Sequence, residues 1–284
     1  MRPTDVVIVG APRSGTNMLR DVLTSIPGVT TWPCDEINLI WRHGNRSEPS
    51  DELEPDMARP EVRRYIRRRF EQIRRHGGPI VVEKTCANSL RVGFVRAVLP
   101  SAKYILITRD GLDAAASAMQ RWHAAFDLSY TAAKARFVPI SDVPFYGARF
   151  LAHHVRRTST ARTGQVSTWW GPRPAGYRDL MARHPLDELC ALQWQRCVER
   201  ARVDLVGLPP DQLHHVRYED FVADPGAHVD ELTSFLGLSG VTPSGLDAVR
   251  ATSVGKGRAA LGAETITRLE ALVGGTLKEL GYVV

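Results

Sequence analysis

A doubly wound α/β sheet, with parallel strands and helices on both faces, is the fold class this sequence predicts, and three observations predict it. Short β-branched apolar runs recur along the chain, and each is followed by residues with helical apolar spacing. A glycine-bearing turn joins the first run to the first helix, as at the ligand end of such sheets. The 284 residues are 43% hydrophobic and 24% charged, the size and composition of one globular enzyme domain spanning 1–284.

The first run is Val6 to Val9, ended by Gly10, and Met18, Leu19, Val22 and Leu23 then mark a helix across Asn17 to Ser25. Val62, Tyr65, Ile66, Phe70 and Ile73 line one face of an arginine-rich helix over Glu61 to Arg75. Its cations read as a solvated face and not as a nucleic-acid patch. A second strand, Ile80 to Val82, follows Gly77-Gly78-Pro79, and a third, Tyr104 to Thr108, leads into the alanine-rich helix Gly111 to Trp122. His215 to Tyr218 is a weaker fourth, before a helix at Pro225 to Leu236 striped by Val229, Leu232 and Phe235. Between 123 and 185 the rhythm breaks at Pro144, Pro172, Pro174 and the pair Trp169-Trp170, which predicts an insertion over the active-site face. Ligand is expected at the carboxyl ends of the strands.

The net charge of +6 comes almost wholly from arginine, since there are five lysines. Such a balance favours an anionic partner without choosing among nucleotide, acidic acceptor and nucleic acid. No run reaches the ~18 apolar residues of a membrane span, and Cys34, Cys86, Cys190 and Cys197 form no Cys-x-x-Cys pair. Free thiols in a cytosolic, reducing compartment are the expectation. Oligomeric state is invisible.

Gly10-Ala-Pro-Arg-Ser-Gly-Thr-Asn17 lies between strand and helix, where backbone N–H groups and the positive end of the helix dipole cradle an anion. The placement makes the sheet P-loop-type. A Walker A loop needs lysine and then serine or threonine where Thr16 and Asn17 stand, so its phosphate cation and its magnesium ligand are both missing. Arg13 supplies a fixed bidentate charge instead, and a nucleotide bound without metal is expected.

These residues resemble the sulfotransferases that use 3′-phosphoadenosine 5′-phosphosulfate (PAPS), above all the branch with the tyrosylprotein and heparan enzymes and related bacterial ones. The resemblance implies that Arg13, Ser14, Gly15, Thr16 and Asn17 bind the 5′-phosphosulfate. Arg109-Asp-Gly-Leu-Asp-Ala-Ala-Ala-Ser117 is similar to the family's 3′-phosphate site, which implies that role for Arg109 and Ser117. Eight helical residues rise about 12 Å, so spacing alone does not bring that pair together. Tyr218-Glu-Asp220 resembles the segment whose tyrosine contacts adenine. Gly255-Lys-Gly-Arg258 resembles the basic segment that closes over the 3′-phosphate, implying Lys256, Gly257 and Arg258; both cations also fit as surface charges.

Sulfuryl transfer needs in-line positioning, charge stabilisation on the leaving oxygen and a base at the incoming hydroxyl. By resemblance Glu36, just beyond a short second strand, is the base, and Lys84 of Glu83-Lys-Thr85 joins Arg13 in stabilising charge. Asp35 is the adjacent rival; along a strand the two point to opposite faces. His43, His123, His153 and His154 are the histidines that could stand in as base, but Cys86 occupies the place where the family's cytosolic branch carries its histidine. Trp32, Trp41, Trp122, Trp169 and Trp170 read first as core anchors and second as stacking surfaces. The expected reaction is metal-free transfer from PAPS to a hydroxyl, leaving adenosine 3′,5′-bisphosphate (PAP), with a carbohydrate or glycolipid acceptor. A divergent P-loop small-molecule kinase and a non-catalytic nucleotide or polyanion binder stay open at this point.

Overall fold

A computed structural model of the chain describes residues 2–123, 142, 169–238, 240–241, 243–246 and 249–282. Among these, β1 (Thr4–Val9), β2 (Val29–Thr30), β3 (Ile80–Lys84), β4 (Lys103–Thr108) and β5 (Leu213–Arg217) form one parallel sheet in the order β2-β3-β1-β4-β5. The sheet is buried on both faces, as parallel sheets are, so its strands read as continuous apolar runs.

Strand alternation divides the core in two. Val7, Val9, Val81, Tyr104 and Leu106 pack against α3 (Pro60–Gly77), α4 (Val92–Val98) and the end of α7 (Leu186–Leu205). Val6, Ile8, Ile80, Val82, Ile105 and Ile107 pack on the other face against α1 (Thr16–Thr24), α8 (Tyr218–Ala223) and α9 (Pro225–Leu236). A third cluster joins α5 (Gly111–His123), through Leu112, Ala114, Ala115 and Ala118, to Trp194 and Cys197 of α7 and to Leu269, Val273 and Leu277 of α11 (Ala263–Glu279). Three short α-helices, α2 (Asn38–Trp41), α6 (Tyr177–Arg183) and α10 (Lys256–Ala260), and three 3₁₀ turns, Pro55–Met57, Cys86–Leu90 and Ala251–Ser253, complete the described residues.

The expected helix faces hold. In α3, Val62, Ile66 and Phe70 are buried, and Phe70 meets Trp32 and Trp41 edge-on at 4.7 and 5.8 Å. Its arginines are partly tethers: Arg67 Nε donates to the Val98 carbonyl at 2.6 Å, and Arg74 binds Glu71 and Asp5. The bounds of α9 match expectation because its ends are written locally. Pro225 opens it, Asp224 accepts the Ala227 N–H at 3.1 Å, and Gly237 closes it at φ 73°.

Of the insertion expected over 123–185, residues 124–141 and 143–168 lie outside the described residues, and α6 falls at its end. No helix among the described residues is long and apolar enough to cross a membrane.

The sheet sets the site by bringing strand ends together. β1 runs into the glycine loop, β3 ends on Lys84, and β4 and β5 are followed by Arg109 and Tyr218. The register pairs Ile8 with Lys84, Val9 with Leu106 and Thr108 with Arg217, so these ends share one edge beside the central strand, where strand order reverses.

Candidate active site

The loop from Gly10 to Gly15 turns on two residues in the left-handed region, Arg13 at φ 67° and Gly15 at φ 90°. Arg13 is the one non-glycine residue with such a φ among those described, a cost accepted where loops turn their N–H groups onto an anion. Gly15 is required twice over, because a Cβ there would also fall 2.5 Å from the Tyr218 ring. Beyond it α1 begins with no capping side chain and no acidic residue in its first turn, leaving the positive end of its dipole open. The hydroxyl of Ser14 is buried without a protein partner.

Arg13 solves the convergence that spacing leaves open. Its carbonyl accepts from Arg109 Nη1 at 2.9 Å, while its own Nε donates to Ser117 Oγ at 2.9 Å, so one loop residue spans both ends of the second motif. Arg109 also donates to the Ser253 carbonyl at 2.6 Å, lies 4.5 Å over the Tyr218 ring, and keeps its Nε buried without a protein partner. Asp110 caps α5 by accepting the Leu112 and Asp113 N–H groups, each at 2.9 Å. Glu219 in turn accepts the Asp110 N–H at 3.0 Å, which ties the Tyr218 motif to the Arg109 motif.

Burial, and then the charges of Arg121 and Arg109, hold the Arg13 guanidinium below its usual range. An anion bound beside Arg13 would relieve that repulsion. Arg121 is not among the residues the motifs single out; its signal in the sequence is its position one helical turn beyond Ser117 on the same face.

The basic segment near the C-terminus does come to this edge. Gly257 packs on the backbone of Asp113. Arg258, however, binds Glu270 at 2.5 Å and lies 3.5 Å from Asp110, and Lys256 is exposed. Of the two expected cations, the guanidinium is already engaged by carboxylates.

Glu36 and Lys84 form an ion pair at 3.1 Å, and the same carboxylate oxygen accepts the Cys86 N–H at 3.3 Å. A bond from the Ile37 N–H to Thr85 Oγ1 at 3.1 Å stitches the two segments together. Asp35 turns instead to Arg20, at 3.2 Å. The two acids take different partners, and the alternation expected of a strand does not apply to them, since β2 ends at Thr30 and they sit on an irregular segment. Burial opposes the charge on Lys84, yet Cys86 and Glu36 outweigh it and raise the amine above its usual range. Since burial also pushes the Cys86 thiol up to about 12, the anion beside Lys84 at neutral pH is Glu36.

Behind this pair runs a buried polar chain. Asn88 donates to Glu83 at 2.8 Å and accepts from Arg91 at 2.9 Å; Arg91 donates to Asn38 at 2.5 Å, and Asn38 to Asp51 at 3.3 Å. Asp51 also accepts from Arg42 at 2.8 Å and from the Arg173 N–H at 2.9 Å. Burial pushes Glu83 up to about 7, against the pull of Thr85, Trp41, Lys84 and Arg91. Between its ordinary 4.5 and about 7 the folded state holds a proton that the unfolded state has lost. Its contribution to stability therefore falls as pH rises through that window and is level above it. Relative to Glu83→Gln, the wild type should lose up to about 3 kcal/mol across the window in urea unfolding. A wild-type-to-variant difference that does not move with pH would contradict this.

His43 bonds Asp142 at 3.0 Å, and its ring lies 3.9 Å from that of Tyr65, tilted by 33°. The His123 side chain, His153 and His154 lie outside the described residues. Trp32 and Trp41 are core anchors, whereas Trp122, Trp169 and Trp170 gather half-buried, with Trp122 at 5.3 and 6.2 Å from the other two.

The model of the sulfotransferase family matches residues 3–143 and 145–243. Among solved structures, a sulfotransferase domain from the curacin biosynthetic pathway aligns over 100% of both chains at 14% identity, with a TM-score of 0.54. Sulfotransferase STF9 from Mycobacterium avium aligns over 100% of this chain and 78% of its own at 12% identity, with a TM-score of 0.50. At those identities the likeness is one of fold. No curated protein shows significant sequence similarity to the chain.

Proposed function

Since the chain belongs to the sulfotransferase family, we propose that it transfers a sulfuryl group from PAPS to a hydroxyl of an acceptor, a carbohydrate or glycolipid. The observation that carries this reading is the double grip of Arg13 on Arg109 and Ser117, which merges a phosphate loop and a second anion site into one cradle. The residues present fit the donor: two buried donor groups without protein partners, Ser14 Oγ and Arg109 Nε, lie in the two motifs among converging arginines.

In this reading the loop N–H groups with Arg13, Ser14, Gly15, Thr16 and Asn17 hold the 5′ end, and Arg109 and Ser117 the 3′-phosphate. Tyr218 serves the adenine side, and Lys256, Gly257 and Arg258 approach the 3′-phosphate from the C-terminal segment. PAPS supplies a sulfuryl group on a leaving phosphate that needs charge stabilisation as the bond breaks. Lys84 carries three N–H donors, so it can keep Glu36 and still offer a bond to a developing anion. Glu36 takes the acceptor's hydroxyl proton onto its carboxylate. No magnesium is called for, because the loop has arginine in place of the Walker cation and asparagine at the metal-ligand position.

The half-buried tryptophans 122, 169 and 170 offer stacking faces for sugar rings and support the carbohydrate class. We read the chain as one transferase domain whose acceptor meets the segment 123–185. Four free cysteines fit a reducing, cytosolic setting. The test is incubation with sulfate-labelled PAPS and, in parallel, glycans, glycolipids and phenols. Labelled ester on the sugar compounds is expected; label confined to the phenols would overturn the acceptor class.

A further inference from the structure

We propose that Asp113 is a positioning residue for the donor: a buried carboxylate that fixes the segment 253–258 against α5 and so sets that segment's approach to the 3′-phosphate. The inference rests on the PAPS reading above.

Asp113 is 2% exposed. Its Oδ2 accepts the Gly255 N–H at 2.6 Å and its Oδ1 the Arg258 N–H at 2.8 Å. Those donors are the N-cap and the third residue of α10, the two N–H groups that a capping box satisfies within its own helix. Gly255 has no side chain with which to cap, and α10 shows no side-chain cap of its own. Asp113 therefore caps it from another helix, across more than 140 residues of chain.

The backbone contact is just as close. A Cβ on Gly257 would fall 2.6 Å from the Asp113 Cα and 2.8 Å from its carbonyl oxygen, so glycine alone lets the segment lie there. The same carboxylate sits 3.6 Å from Arg109 Nη2, which itself donates to the Ser253 carbonyl. One acid thus holds the C-terminal segment and neighbours the arginine assigned to the 3′-phosphate. With the Arg258 guanidinium engaged by Glu270 and Asp110, the segment's contribution to the donor depends on where its main chain and Lys256 are placed.

A role in the 3′ end alone is separable from a general structural one by comparing two nucleotides. Calorimetric titrations with PAP and with adenosine 5′-monophosphate are made on wild type, Asp113→Asn, Asp113→Ala and Gly257→Ala. The wild type is expected to prefer PAP. Asp113→Ala should weaken PAP by about tenfold or more and leave the monophosphate within about twofold. Asp113→Asn, which keeps one acceptor oxygen, should fall between. Gly257→Ala, which leaves the carboxylate in place, should reproduce the selective loss and stands as the test if Asp113→Ala does not fold. Unchanged PAP affinity in the variants, or a parallel loss of both nucleotides, overturns the proposal. A wild type that does not prefer PAP overturns the PAPS reading instead.

Discussion

Lys84→Ala should lower sulfuryl transfer by about two to three orders of magnitude while binding PAP nearly as the wild type does. The lysine ends β3, is 4% exposed, and is held to Glu36 at 3.1 Å. A fixed cation in so dry a place needs no reorganisation as negative charge develops, and alanine offers nothing in its stead. Glu36→Gln should show a loss of similar size for a different reason. The amide oxygen can still accept the Cys86 N–H, but it cannot take a proton. Because the two groups act in one step, the double variant should be scarcely slower than the worse single one. Initial rates of labelled ester formation check all three, and near wild-type turnover in Glu36→Gln would remove it as the base.

The second large effect is on binding. Arg109→Ala should weaken PAP by about two orders of magnitude, since the charge-assisted contact proposed for the 3′-phosphate is lost together with the group that orders the loop. Its guanidinium bonds the Arg13 and Ser253 carbonyls and covers the Tyr218 ring, so removal loosens three segments at once. Arg109→Lys should recover little, because a single ammonium cannot reach both carbonyls in the same planar fork. Stability should fall by roughly 2–4 kcal/mol in Arg109→Ala, with Asp113 left without its neighbouring cation, and by less in Arg109→Lys, which keeps a positive charge there. Titration calorimetry with parallel urea unfolding separates the two losses.

What was legible in the sequence was what is encoded locally. The glycine loop, the β-branched strands and the Asp224, Pro225 and Gly237 boundaries of α9 all depend on neighbours within a few residues. The long helix α7 was not, because its buried face carries Asp187, Gln193 and Ala201 beside Leu189 and Trp194 while Val203 lies exposed, which leaves little hydrophobic contrast between its two sides. The motifs named the residues of the cradle but not their meeting. Arg13 reaches Ser117 across 104 positions, and Asp51 reaches the Arg173 N–H across 122, distances at which sequence spacing carries no geometry. Asp113 lies inside a recognised motif that assigns it nothing, and the role proposed for it depends wholly on a segment beyond residue 250.

The most direct test of the donor site is a calorimetric titration of the wild type with PAP in the absence of metal, set against ATP with magnesium. The account predicts that PAP binds tightly without metal and that ATP with magnesium binds far more weakly. A preference for ATP with magnesium would contradict it, and the cradle around Arg13 would then belong to a divergent kinase.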